Sequence, residues 1–418
     1  MQFTEISAED FKAFSLGREQ TAFPQSIEMS RVQEDLGRKV KFLALKDGDE
    51  ILGAGLFLIK PYHRFFQIAH CNQGPILDFG DPGLVKAFFE GLEKKLRSMN
   101  ILYCQITPNF PLQERDGNGK LVPGGFDHRS WHQNLLDLPL DFYGFNNDPH
   151  SILWRWFFIK DMRPYENEDD LWASFNYNTQ RHLKKARKLP IQVLDLPLEE
   201  IDHFNRLMEQ TSQRRGFIIR EDLHSALKKE FGENCRVILS RLDIPAFLEE
   251  SRKKKDQTQK NLKKAQDKLE ANPNKSNENK VGQAQDQYQA ACRQLEEAQA
   301  YEGKSYVDLG GALYLNYNQE VTYLFSASFS PLLNLNGIDL VMEEGIRWAL
   351  ETGARQFNYY GTLGKYSGTE DDGIHQFKRG YGGVVYETPG TYVLPVKKRA
   401  YRTIQKIKRW LGKKELTL

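Results

Sequence analysis

Residues 311–360 read GALYLNYNQEVTYLFSASFSPLLNLNGIDLVMEEGIRWALETGARQFNYY. Two apolar runs, 311–316 and 321–325, flank a turn at Tyr317-Asn318, which is a hairpin pattern. A helical pattern over 340–351 follows, and a short strand-like run at 356–360 closes the stretch. A similar order occurs earlier in the chain. Runs 40–46 and 51–59 flank Asp47-Gly48-Asp49, and Asp81-Pro82-Gly83 opens a helix with Leu84, Val85, Phe88, Phe89, Leu92 and Leu96 on one side. A buried strand at 102–106 then ends before Pro108. A further short strand is expected at 237–239. Two units of mixed sheet and helix, similar in order, define an α+β fold. The expected division is 1–150 for the first and 151–395 for the second, with part of 384–396 completing the first.

Residues 244–302 stand apart. After Phe247 there is no Phe or Trp, and Lys, Gln, Glu and Asn dominate, as in a charged linker. The spacing argues for order. Leu248, Leu262 and Leu269 share one heptad position and Ser251, Thr258 and Ala265 the complementary one, with Lys255 weakening the seam. After Asn272-Pro273-Asn274 the pattern restarts at Val281, Ala284, Tyr288, Ala291, Leu295 and Ala298. Pro273 stops the first helix, so the segment predicts an antiparallel helical coiled-coil arm inserted in the second unit.

The bulk properties exclude several classes. With 40% hydrophobic residues and 27% charged, the 418-residue chain has the composition of a globular protein. The longest apolar runs, 51–59 and 152–159, fall short of the ~20 residues that span a bilayer, and Arg155 breaks the second. The opening Met1–Asp10 carries acids and no apolar core, so no signal peptide is expected and the location expected is cytoplasmic. Cys71, Cys104, Cys235 and Cys292 have no redox or metal spacing. P-loop, Gly-x-Ser-x-Gly and His-Glu-x-x-His motifs are absent, so no metal is expected. Residues 213–216 faintly suggest a pyrophosphate-binding turn, but Phe217-Ile218 follow where a second glycine is wanted, which counts against a CoA-dependent acyltransferase.

The net charge of +2 hides two basic clusters, 181–188 and 396–414. In the second, Tyr401, Ile404, Ile407 and Leu411 recur at helical spacing among nine Lys and Arg residues between 397 and 414, with Trp410 at the flank. A basic amphipathic helix over 396–418 is expected, suited either to packing on the protein or to an anionic membrane surface.

Residues 358–383 read NYYGTLGKYSGTEDDGIHQFKRGYGG. A strand ends in Tyr359-Tyr360-Gly361, a Gly-rich loop follows, and Phe377-Lys378 precedes Arg379-Gly380-Tyr381-Gly382-Gly383. A lysine beside an aromatic at such a junction suits a developing oxyanion or a phosphate; a polar turn with a surface lysine is the competing reading.

This stretch resembles the signature of the Fem-type (FemA/FemB/FemX) peptidyltransferases, and the resemblance covers nearly the whole chain. The opening MQFTEISAEDFKAF, the element Gln73-Gly74-Pro75-Ile76-Leu77-Asp78, the basic helix Arg181-His182-Leu183-Lys184-Lys185-Ala186-Arg187-Lys188 and the segment from Met208 to Arg220 all carry it. The arm sits where FemA-like members have theirs. The resemblance implies two acetyltransferase-like (GNAT-like) domains and transfer of an aminoacyl group from tRNA to a peptidoglycan precursor, with no cofactor. It implies a transition-state role for Lys378 with Phe377 beside it, and phosphate binding by Arg220. Asp78, Tyr103, Tyr360 and Gly361 are its further substrate-binding candidates, and Arg181, Lys184 and Lys185 its tRNA-binding ones. A second phosphate-binding lysine of the family falls eight residues after the Gln that opens the first helix. Here that Gln is Gln25 and the position holds Gln33, with Arg31 and Arg38 nearby. The implied partners are aminoacyl-tRNA, a lipid-linked precursor, an anionic membrane surface at the inner face of the membrane and related Fem-type transferases. A non-catalytic scaffold built on the arm and the basic C-terminus is the alternative of a different class.

Overall fold

The computed structural model describes residues 1–62, 65–144, 155–216, 219, 221–362 and 373–410. They form two seven-stranded sheets. The first contains β1 (Gln2–Glu5), β2 (Lys39–Asp47), β3 (Glu50–Tyr62), β4 (Phe66–Asn72), β5 (Ile101–Thr107) and β6 (Asp141–Gly144). The second contains β7 (Trp156–Asp161), β8 (Ile191–Asp195), β9 (Cys235–Asp243), β10 (Tyr306–Tyr317), β11 (Glu320–Ser328), β12 (Gln356–Thr362) and β13 (Val384–Glu387). The last strand, β14 (Thr391–Pro395), lies in the first sheet between β5 and β6.

The two sheets repeat one plan. Their orders are β1-β2-β3-β4-β5-β14-β6 and β8-β9-β10-β11-β12-β7-β13. Position by position the pairings agree, and the single parallel pair is β4 with β5 in one and β11 with β12 in the other. A parallel pair requires a crossover, and a helix supplies it each time. The expected second domain, 151–395, ends in β14, a strand of the first sheet.

The helices of the first unit are α1 (Ala8–Ser15), α2 (Ile27–Asp35), α3 (Pro82–Ser98) and α4 (Arg129–Leu136). Those of the second are α5 (Glu168–Ala173), α6 (Tyr177–Ala186), α7 (Asp202–Arg215) and α8 (Glu221–Phe231), then the pair α9 (Ile244–Ala271) and α10 (Lys275–Gln299), then α11 (Gly337–Glu351) and α12 (Gly373–Arg379); α13 (Lys398–Trp410) ends the described chain. The crossover α3 shows why these segments fold as they do. The Asp81 carboxylate caps its start, accepting from Gly83 N at 2.9 Å and Leu84 N at 3.0 Å, and Pro82 fits the first turn. Val85, Phe88, Phe89, Leu92 and Leu96 are buried on one side. Each such side chain contributes about 1.5–3 kcal/mol of transfer free energy.

The segment 244–302 is a helical hairpin inserted between β9 and β10. Asp243 caps α9 by accepting from Ala246 N at 2.9 Å. Gln294 donates to Ser251 Oγ at 3.2 Å and Arg252 reaches Glu302 at 3.1 Å, which makes the helices antiparallel. Of the expected seam, Leu248, Ser251, Leu262, Ala284, Ala291, Leu295 and Ala298 are buried, while Thr258, Ala265, Leu269, Val281 and Tyr288 are only partly covered. Ile244 and Phe247, outside the seam, are buried where α9 meets the second unit.

Among the described residues, two sets of contacts join the units. Asn318, in the β10–β11 turn, accepts from Gly17 N at 2.8 Å and donates to Arg18 O and Thr21 O at 2.8 and 3.0 Å. Beside it, Phe23, Met29 and Val32 are buried in the second unit's core with Phe204, Leu227 and Leu313. Where the chain returns from the second sheet to the first, Glu387 binds Arg115 Nη2 at 2.7 Å and Arg155 Nη2 at 2.6 Å. Both guanidiniums also lie over the Trp156 ring, at 5.1 and 4.6 Å.

The C-terminal helix uses its apolar stripe in two ways. Tyr401 is fully buried against the first sheet, its hydroxyl 2.7 Å from that of Tyr143, and Arg402 pairs with Asp141 at 2.8 Å. Farther along, Ile407 is 51% exposed and Trp410 85%. Leu411, expected to continue the stripe, lies outside the described residues.

Candidate active site

The parallel pair of the second sheet separates early. β11 and β12 pair over three positions, from Glu320–Gln356 to Thr322–Asn358, and no further among the described residues. In the first sheet β4 and β5 stay paired to Asn72–Thr107. The difference has a local cause in β12. Its register with β7 shifts between Asn358 and Gly361, and Tyr360 takes a positive φ of 64°. A bulge with a non-glycine residue in the left-handed region bends the strand and commonly marks a functional site. The Asn358 side chain stabilises it by accepting from Tyr360 N at 2.8 Å.

Lys378 sits at the free end of this wedge. It occupies α12, is only 4% exposed, and its Nζ donates to Gly361 O at 2.6 Å. Phe377 packs on the core of the second unit, its ring 5.4 Å from that of Tyr381. The turn after α12 is tied down on every side. Asn176 N donates to Gly380 O at 2.9 Å, and Tyr359 OH donates to Gly382 O at 3.1 Å. A Cβ at Gly380 would collide with Thr179 Oγ1, so the approach of α6 requires glycine there. Tyr381 OH donates to the Asp339 carboxylate at 3.0 Å, and His182 Nδ1 lies 3.8 Å from the same carboxylate. Burial pushes the Asp339 carboxyl up to about 6, against the opposing pull of the Tyr381 bond and His182.

The basic helix α6 therefore starts beside the motif. Asn176 caps it by accepting from Thr179 N at 2.8 Å. Arg181, Lys184 and Lys185 are exposed; Lys185 donates to Asn334 O at 2.9 Å and Lys184 lies over the Trp172 ring at 5.6 Å.

The other candidates are placed elsewhere. Tyr360 projects to the opposite face of the sheet from Tyr359, packing on Phe157 at 5.3 Å and on Phe23 of the first unit at 6.5 Å. Burial, and then the charge of Glu320, raises the pKa of its hydroxyl. Asp78 is an exposed residue of the first unit whose Oδ1 accepts from Gly80 N at 2.8 Å. Tyr103 is fully buried beneath α13, between Tyr62 and Tyr401. Its surface is used in packing, because α13 covers the strand that carries it. Arg220 lies outside the described residues. Gln33 is buried and accepts a hydrogen bond from Arg38 Nη1. Gln25 is wholly internal, its amide bridging Leu56 N at 2.7 Å and Asn72 O at 2.8 Å. Among the described residues no group of three or more His, Cys, Asp or Glu could hold a metal ion, and no helix is long and apolar enough to cross a membrane.

Sequence reasoning missed Lys160, a lysine on β7 that is 2% exposed and bonded to the turn after α12. The signal was a lone lysine at the end of the apolar run Trp156-Phe157-Phe158-Ile159. Asp339 was missed as well, for its partners are distant in sequence.

A wedge in a mixed sheet, the buried Lys378 at its mouth and the exposed basic helix beside it make up the candidate site. The chain belongs to the FemAB family, whose model matches residues 6–409. It is 27% identical over 419 residues to the aminoacyltransferase FemA of Staphylococcus aureus strain MRSA252, covering 98% of this chain and 99% of that one. The FemA of the bovine strain RF122 / ET3-1 gives the same figures. The crystal structure of a FemX shares the fold, with a TM-score of 0.70 at 19% identity, covering 97% of this chain and all of the other.

Proposed function

We propose that this chain is an aminoacyltransferase that moves an amino acid of the Gly, Ala or Ser type from tRNA to an amine of a peptidoglycan precursor, on the stem peptide or the growing interpeptide bridge. The observation that carries the reading is the Lys378 ammonium held at Gly361, at the end of the β11–β12 wedge. The amine of the acceptor attacks the carbonyl carbon of the aminoacyl ester, and the carbonyl electron pair moves to oxygen. Lys378 stabilises that oxyanion. Collapse expels the ribose oxygen of the tRNA, which ends with the proton that the amine loses, and an amide bond has replaced the ester. An ester is already activated, so positioning and charge stabilisation suffice. Arg220 binds the precursor's phosphate in this reading, and of Arg31 and Arg38, the candidates for the missing second cation, Arg38 is the one bonded to Gln33. Incubation with glycyl-, alanyl- and seryl-tRNA and lipid-linked precursor, read by mass, tests the proposal. No mass increase with any of the three would overturn it.

Binding of the tRNA falls to α6. Each phosphate contact lowers the slope of log affinity against log salt by about one. Arg181→Ala and Lys184→Ala are each expected to reduce the slope by that amount. Deletion of the hairpin is expected to leave the slope unchanged, because its charged face carries acids among the bases, as in the Lys253–Glu249 pair at 2.5 Å. A slope that falls on deleting the hairpin would move the contacts there.

The exposed Ile407 and Trp410 favour a second element of the reading, peripheral binding to an anionic membrane. A lipid-linked acceptor is confined to that surface. Removing all of 397–418 would strip Tyr401 from the core, so point variants are the cleaner probe. Ile407→Ser with Trp410→Ser is expected to abolish salt-sensitive binding to phosphatidylglycerol vesicles without changing the melting temperature. Equal sedimentation of the variant and wild type with vesicles would remove the membrane from the account.

A further inference from the structure

Lys160 is a buried cation with no counter-ion among the described residues. It lies on β7, 2% exposed, and its Nζ contacts three oxygens: Tyr381 O at 2.9 Å, Ser174 Oγ at 2.8 Å and Tyr165 OH at 3.0 Å. The Ser174 hydroxyl proton is already spent on Leu171 O at 2.6 Å, so that oxygen accepts from Lys160. The Tyr381 carbonyl accepts as well, and the three protons of an ammonium match the three oxygens. None of these partners is a carboxylate. An ammonium taken out of water with only neutral partners is costly, and an apolar residue on an interior strand would avoid the cost. Burial pulls the pKa of Lys160 below the ordinary lysine value, the direction expected of such a site.

What the cost secures is the turn after α12. Tyr381 N donates to Lys378 O and Gly382 N to Arg379 O, both at 3.1 Å, so the carbonyl bound by Lys160 belongs to the turn that closes the helix. The helix itself spans seven residues. Helices shorter than about 12–15 residues do not hold their place by themselves. Its position is set by the packing of His375, Phe377 and Lys378 and by what grips its ends, and at the C-terminal end that grip is Lys160 together with Tyr359 and Asn176.

We propose that Lys160 is a positioning residue for the transfer step: it fixes the turn 378–382 and through it the place of the Lys378 ammonium at Gly361. The proposal rests on the reading of Lys378 given above. A group that acts through another's placement changes turnover more than binding, since a displacement of about 1 Å at the reacting centre costs on the order of a hundredfold.

The test uses the full chain with charged tRNA and lipid-linked precursor. Lys160→Met is expected to lower kcat at least about tenfold, with KM for both substrates within about twofold of wild type. Amide hydrogen exchange over residues 373–383 is expected to accelerate while exchange in the first sheet is unchanged. If Lys160→Met does not fold, the double variant Tyr165→Phe, Ser174→Ala loosens the same ammonium and should show the same kcat loss at unchanged KM. A kcat near wild type in the folded variant, with Lys378→Met inactive, overturns the proposal and leaves the role of Lys378 standing. A rise in KM together with faster exchange throughout the chain overturns it too, as a purely structural role would give that result. Activity retained by Lys378→Met removes the underlying reading, and with it the positioning role.

Discussion

Lys378→Met will lower aminoacyl transfer by about 10²–10³-fold or more, the range seen when one preorganised oxyanion donor is removed. The thioether keeps the length and apolar stem of the lysine, so α12 keeps its packing. The loss should appear in kcat, with KM for charged tRNA and precursor little changed, because the developing oxyanion exists only in the transition state. Stability should fall by a smaller amount. Gly361 O loses the donor that lies 2.6 Å away, and an unpaired buried carbonyl costs about 1–3 kcal/mol. Circular dichroism and single-turnover kinetics on the same sample separate the two effects. Transfer within a few-fold of wild type in a folded Lys378→Met protein would take Lys378 out of the mechanism.

Glu387→Ala will destabilise the chain more than the loss of a surface pair would. Its carboxylate holds Arg115 from the first unit and Arg155 at the entry to β7, and it is 7% exposed. Removing it leaves two half-buried guanidiniums close together beside Trp156 without their shared carboxylate. Breaking a buried pair by deleting one partner typically costs about 3–5 kcal/mol. Arg115 keeps its bond to Gly119 O at 2.8 Å, which favours the lower end, about 3 kcal/mol. Glu249→Ala, which breaks an exposed pair on the hairpin, serves as the control and should leave the unfolding transition in place. Equal denaturant midpoints for the two variants would show that the Glu387 cluster does not bind the units together.

Much of this arrangement is legible in the sequence. The hairpin, helix and strand of 311–360 appear as β10, β11, α11 and β12, because a helix and a two-stranded turn leave periodic traces within a dozen residues. Asp81 and Pro82 announced the start of α3 for the same reason. The heptad spacing of 244–302 identified which faces of α9 and α10 are turned inward, since a seam must repeat every three or four residues to stay on one side of a helix. Phe377-Lys378 stood out as a candidate through a motif, a contiguous string that survives without its surroundings.

The sequence by itself thus determined the local elements and the hairpin and singled out Lys378, whose burial and place in a helix the structure supplied. The return of part of 384–396 to the first unit was expected, but the tertiary structure alone decided where the strands sit, with β14 between β5 and β6 and β7 between β12 and β13. It decided that Tyr103 is covered by a helix from the far end of the chain, and that Lys160 grips the turn behind Lys378. It also decided that the wedge opens in the second sheet and stays shut in the first. The physical reason is common to all of these. Strand pairing, burial and the partners of a lone cation depend on groups far apart along the chain, and contacts at long separation impose no period on the residues that make them.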